Sequence, residues 1–153
     1  MTFPKPPPLL AALDEAELIA LHGYGVDTHV PAGTTMIEQG KDHARLYIIV
    51  DGRLIVSRNN EGESIDLAEL RAGEIFGEVS VFDPGPASAT VKTSADCKLW
   101  HIDGSELERF VEANPAAGTK ILRKVAKELA GRVRVLDANV ETHGGGHLAE
   151  GWW

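Results

Sequence analysis

The apolar positions of this chain keep a helical period at both ends and a strand-like texture between them. Asp14 stands before the first periodic run and Glu17 follows three positions later, the pattern of a capping box, with Leu13 and Leu18 placed to act as a hydrophobic staple. A short helix from about Glu15 to His22 is predicted, stopping near Gly23 and Gly25. From Val26 to Ile102 come short runs rich in β-formers and punctuated by glycine: 26–30, 34–38, 46–50, 53–58, 64–70, 87–93 and 98–102. Asp51-Gly52, between two apolar runs, reads as the strongest hairpin turn, and Asn59-Asn60-Glu61-Gly62 as the next. Many short strands with regular turns point to an antiparallel roll, a sandwich, jelly roll or barrel. Beyond Ile102 the helical period returns. Asp103 and Glu106 form a second capping-box pattern, and Asn114-Pro115 opens a long helix to about Val140, with Leu122, Val125, Leu129, Val133 and Leu136 read as one apolar stripe.

The proline-rich start makes residues 1–12 a flexible, extended leader, the folded domain spans 13–140, and the glycine-rich residues 141–153 form a flexible tail whose Trp152 and Trp153 can dock on a partner. One domain of this size, with 43% hydrophobic residues, can bury a core without disulfides or metal. The net charge of −8 argues against nonspecific attraction to nucleic acid or anionic membrane. Cys97 is the one cysteine, and neither a signal-peptide pattern nor a bilayer-length apolar run is present, so a cytoplasmic location is expected.

The segment with legible chemistry is Gly73-Glu74-Ile75-Phe76-Gly77-Glu78-Val79-Ser80-Val81, followed by Phe82-Asp83-Pro84-Gly85-Pro86-Ala87-Ser88-Ala89-Thr90-Val91. Gly77 lets the backbone approach a ligand, and the free N–H groups through Val79 suit an anion. Phe-Gly-Glu, a short helical turn and Pro-x-Ser-Ala-Thr-Val at this separation resemble the phosphate-binding cassette of the cyclic nucleotide-binding domains, and the resemblance extends from residue 13 to about 137. It implies a β-roll with a short N-terminal helix and a long C-terminal lid helix, and a cyclic nucleotide monophosphate as ligand. It also implies that Glu78 accepts from a ribose hydroxyl, and that Ser88, flanked by Ala87 and Ala89, reaches the phosphate from the facing strand.

The chain departs from that pattern at Ala87, where the resemblance calls for the arginine that neutralises the phosphate. Arg132, on the long helix where family members often place an arginine near the cassette glutamate, is the first candidate to compensate. Lys92 and Arg71 follow. The long helix fits either a lid over the roll or a modest homodimer seam, with Arg132 and Asn139 at intervening seam positions. His29, His43 and His101 are read as ordinary strand or turn histidines, and without a His-x-His pair a cupin-type metalloenzyme is a distant third reading. No nucleophile elbow, zinc-protease helix or phosphate loop is present, so no catalytic residue and no metal ligand is assigned. The residues after 140 are too few for a helix-turn-helix, so direct DNA contact is not expected. Two functions remain open: a stand-alone sensor of a cyclic nucleotide, or a ligand-independent protein-interaction module in a signalling pathway that keeps only the fold.

Overall fold

The computed structural model describes Phe3 and residues 6–143. A short 3₁₀ turn, Pro8–Leu10, leads into α1 (Glu15–His22), where the predicted capping box forms. Glu17 N–H donates to Asp14 at 2.8 Å and Asp14 N–H to Glu17 at 3.0 Å. Ten strands and two short helices follow: β1 (Val26–Val30), β2 (Thr35–Ile37), β3 (Asp42–His43), β4 (Arg45–Asp51), β5 (Arg53–Asn60), β6 (Glu63–Arg71), β7 (Ile75–Phe76), α2 (Glu78–Phe82), β8 (Gly85–Pro86), β9 (Thr90–Thr93), β10 (Cys97–Asp103) and α3 (Gly104–Ala113). The long helix α4 runs over Pro115–His143.

The strands form two antiparallel four-stranded sheets, β1-β10-β4-β7 and β2-β9-β5-β6, with the β3–β8 ribbon beside the cassette. This is the mainly β roll with flanking helices that the sequence implies. Alternation along β4 sorts its buried residues between two cores. Leu46 and Ile48 join Trp100, Ile102, Phe110 and Ile121 under the helices, while Tyr47 and Ile49 join Leu54, Val56, Phe76 and Val91 inside the roll.

Asp51-Gly52 is not a hairpin, because β4 and β5 lie in different sheets. The turn is a corner. Gly52 has φ +113°, and a Cβ there would lie 2.5 Å from Cys97 Sγ and 2.7 Å from the Asp96 carbonyl, so the glycine serves a sheet-to-sheet crossing. The two-residue hairpin is at Glu61-Gly62, where both φ angles are positive, 52° and 86°, between paired Asn60 and Glu63.

Three further expectations are corrected. The described residues of the expected leader are packed and not loose: Phe3, Leu9 and Leu10 are buried, with Phe3 edge-on to Trp100 at 5.0 Å. Their apolar area outweighs the extended preference of the surrounding prolines. The second capping box does not form either. The Asp103 carboxylate accepts from Arg45 Nε at 2.7 Å and Glu106 pairs with Arg109, so both acids are engaged by arginines. Finally, the stripe of α4 divides in two. Ala117 and Ile121 are buried and Val125 packs against them, whereas Leu122, Leu129 and Val133 are 45%, 41% and 51% exposed. The tail beyond residue 143, with Trp152 and Trp153, lies outside the described residues.

Candidate functional site

The cassette begins where β7 ends. Gly77 has φ +82°, and the position a Cβ would take is filled by the Arg45 carbonyl and by His43 Nε2, so only glycine lets β7 turn into α2 against β4. The first helical bond, from Val81 N–H to the Gly77 carbonyl at 3.1 Å, fixes Glu78 and Val79 on the opening turn of α2. Opposite, Ala87 N–H donates to the Lys41 carbonyl and the Ala87 carbonyl accepts from Gly40 N–H, at 2.9 and 2.8 Å. Ala87 is therefore held by backbone bonds whatever its side chain.

Glu78 meets Arg132 of α4. Arg132 Nη2 donates to Glu78 Oε1 at 3.0 Å, with both side chains less than a fifth exposed. Burial pushes the Glu78 carboxyl above its ordinary range, the Arg132 hydrogen bond and charge pull it back, and Glu128 pushes it further up. The pair ties the lid helix to the cassette. It lines a cavity of about 430 Å³ with Leu67, Ala68 and Glu128, and a smaller, mostly apolar one of about 250 Å³ with Phe82, Val125 and Leu129.

Ala87, Ser88 and Ala89 line a different cavity, of about 310 Å³, together with His43, Ser80 and Asp83, against Ile37 and Val91. Of the sequence-assigned residues, the structure thus joins Glu78 to Arg132 and groups Ala87, Ser88 and Ala89. Arg132 lines the two cavities on the helix side and not the one beside Ala87. Asp83 stands at the wall of both the 310 and the 250 Å³ spaces. Lys92 is exposed on β9, and Arg71 reaches Glu69 at 3.6 Å; neither lines any of these three cavities.

Sequence reasoning missed His43, Ser80 and Arg58. Arg58 Nε donates to the Ser88 carbonyl at 3.0 Å, bracing the cassette strand from β5. Its signal was weak, because an arginine near a hairpin end reads as a solvated charge. His43 is opposite Gly85 in the β3–β8 ribbon and stacks on Tyr47 at 6.0 Å, a placement that two-residue strands leave no periodicity to reveal. Cys97 is buried at the start of β10, where burial pushes its thiol up. Among the described residues no cluster of three His, Cys, Asp or Glu side chains has metal-binding geometry, and no helix is long and apolar enough to cross a membrane.

Comparison with known proteins agrees with this architecture. Residues 27–114 match the family model described as the cyclic nucleotide-binding domain. The chain is 36% identical over 116 residues to the cAMP-activated global transcriptional regulator CRP of Haemophilus influenzae, a match covering 74% of this chain and 47% of that protein. It is 30% identical over 100 residues to the CRP-like cAMP-activated global transcriptional regulator of Mycobacterium tuberculosis, covering 65% and 45%. The chain thus spans about half the length of the curated relatives it matches. Among solved structures, the N-terminal domain of a transcriptional regulator from Streptomyces coelicolor A3(2) superposes with a TM-score of 0.77 at 31% identity, covering 81% of this chain and 89% of that one. The regulatory domain of Toxoplasma gondii PKA with cAMP superposes with a TM-score of 0.66 at 27% identity, covering 86% and 49%. With the family model matching more than half of its length, the chain belongs to the cyclic nucleotide-binding domain family.

Proposed function

We propose that this chain is a non-enzymatic regulatory module of the cytoplasm that senses a cyclic nucleotide monophosphate. The observation that carries the reading is the Glu78–Arg132 pair, which places the cassette carboxylate against the lid helix in a position that a ribose hydroxyl would contest. Gly77, Glu78 and Val79 form the helical side of the site and Ala87, Ser88 and Ala89 the strand side. The phosphate would rest in the 310 Å³ cavity beside Ser88, and the ribose fused to it toward Glu78, past Asp83, which walls both that cavity and the 250 Å³ space. Ligand that displaces Arg132 from Glu78 shifts α4 only to the extent that it binds the displaced state more tightly.

Ala87 weakens this ligand contact. Losing one partner of a buried charge-assisted contact costs about 3–5 kcal/mol, or roughly two to three and a half orders of magnitude in affinity. Calorimetric titration with the adenosine and guanosine cyclic monophosphates tests the reading. The expected result is weak saturation by the natural chain and tighter binding, by at least about a hundredfold, in Ala87→Arg. If neither protein binds either nucleotide, the sensor reading fails.

A second reading, a ligand-independent interaction module, is favoured by the exposed row Leu122, Ala126, Leu129, Val133 on α4. Its spacing of four, three and four is that of a two-helix seam, and Arg132 lies off it, toward Glu78. A homodimer through α4 is compatible with either reading. Contact with DNA would then fall to a signalling partner or to sequence outside this chain.

A further inference from the structure

The cavity beside Ala87 contains no lysine or arginine in its lining; its titratable groups are His43 and Asp83. His43 Nε2 is buried and makes no well-formed hydrogen bond among the described residues; beside it lie Gly77 and the Arg45 backbone carbonyl. A buried ring nitrogen left in that state is uncommon, because its lost hydration is uncompensated. The ring is not loose. It stacks on Tyr47 with 7° between planes, Tyr47 stacks in turn on Phe76 at 4.6 Å, and the β3–β8 ribbon holds His43 opposite Gly85, two residues before Ala87. A Cβ added to Gly77 would lie 2.6 Å from Nε2, so the orphaned nitrogen sits against the cassette glycine.

We propose that His43, in its protonated form, supplies the positive charge that Ala87 lacks, donating from Nε2 to the anionic oxygen of a cyclic phosphate ester, so that binding takes up a proton. This inference rests on the reading that the 310 Å³ cavity receives the phosphate. Arg58 does not line that cavity and has its Nε engaged by the Ser88 carbonyl.

The groups around the ring set the direction of the effect. Burial holds His43 below the ordinary histidine value; the Arg45 backbone carbonyl favours the protonated ring and the Arg45 charge opposes it. Asp103 from β10 ion-pairs with Arg45 at 2.7 Å, and His101 of β10 lies against Tyr47 at 5.6 Å. Asp42 is the neighbour on β3, and Asp83 shares the cavity wall. Burial therefore favours the neutral ring in the free protein, and an arriving phosphate monoanion favours the imidazolium. Where the free ring is neutral and the bound ring charged, affinity rises by up to about tenfold for each unit fall in pH. Among the described residues, His43 is the one lining group of this cavity that can carry positive charge, so its protonation decides the sign.

The test is calorimetric titration of the whole chain with adenosine cyclic monophosphate at about pH 5.5, 6.5 and 7.5, each in two buffers of different ionisation enthalpy. The expected result is a Kd at least about tenfold lower at the acid end, with net proton uptake on binding read from the difference between the two buffers. His43→Gln, which keeps a neutral polar side chain, is expected to flatten the pH profile; His101→Gln is expected to retain it. The proton count on the natural chain does not depend on any variant folding. A pH-independent Kd, or a profile that survives in His43→Gln, overturns the proposal. Absence of binding at every pH, with binding restored by Ala87→Arg, overturns the proposal and leaves the sensor reading standing. Absence of binding in Ala87→Arg as well removes both.

Discussion

Gly77 is held by two constraints at once: a positive φ of 82°, and neighbours that occupy the space of a side chain, the Arg45 carbonyl and the His43 ring. Gly77→Ala must therefore strain the backbone and push β4 or β3 away. We expect a loss of at least about 1–3 kcal/mol in urea unfolding, together with weaker nucleotide binding. A stability unchanged within about 0.5 kcal/mol would show that the cassette relaxes freely. At this scale the sequence was readable where a residue type has a single physical use. Gly77 takes the positive φ that a glycine at a close turn allows, and Arg132 meets Glu78 at 3.0 Å. His43 was unreadable because its importance comes from contact with residues distant in sequence, Gly77 and the Ala87 cavity, and not from its own neighbours.

Among the elements, α4 shows how one helix serves two surfaces. The row Ala117, Ile121 and Val125 closes the core beneath it, and Glu128 and Arg132 continue toward the cassette. The row through Leu122, Leu129 and Val133 faces away. The exposed row leaves Arg132 outside it, turned toward Glu78. Val133→Asp is expected to convert a dimer to monomers in light-scattering measurements while leaving monomer stability within about 0.5 kcal/mol, since Val133 is half exposed. A natural chain that is monomeric at all concentrations would remove the seam. Element ends were legible where capping was local, as at Asp14 and Glu17, and illegible where a distant arginine competed, as at Asp103. The corner at Gly52 was misread for the same reason: a turn dipeptide specifies a reversal but not which sheet receives the next strand.

Across the whole molecule, two cores share β4 and β10, and the helix-side core is completed from both ends of the described chain. Leu9 and Leu10, each 1% exposed, pack in the same cluster as Ile121 of α4, and Lys120 of α4 pairs with Glu17 of α1. Leu9→Ala is therefore expected to cost about 2–5 kcal/mol in chemical denaturation, a value a loose leader would not show. A loss below about 0.5 kcal/mol would return this segment to the surface. The overall class of the fold was plain from the strand texture and flanking helical periods, whereas the role of the first residues was hidden because prolines announce what a segment cannot form but not where it packs.

That closure of the first segment against the last helix also sets an order in time. During synthesis the strands of the roll leave the ribosome before Ile121 does, so Leu9, Leu10 and Phe3 remain without their full apolar surroundings until α4 has emerged. The nascent roll would thus expose a greasy patch throughout its own translation, and a stall before α4 would present to chaperones and proteases a chain whose sheets are made but whose floor is missing.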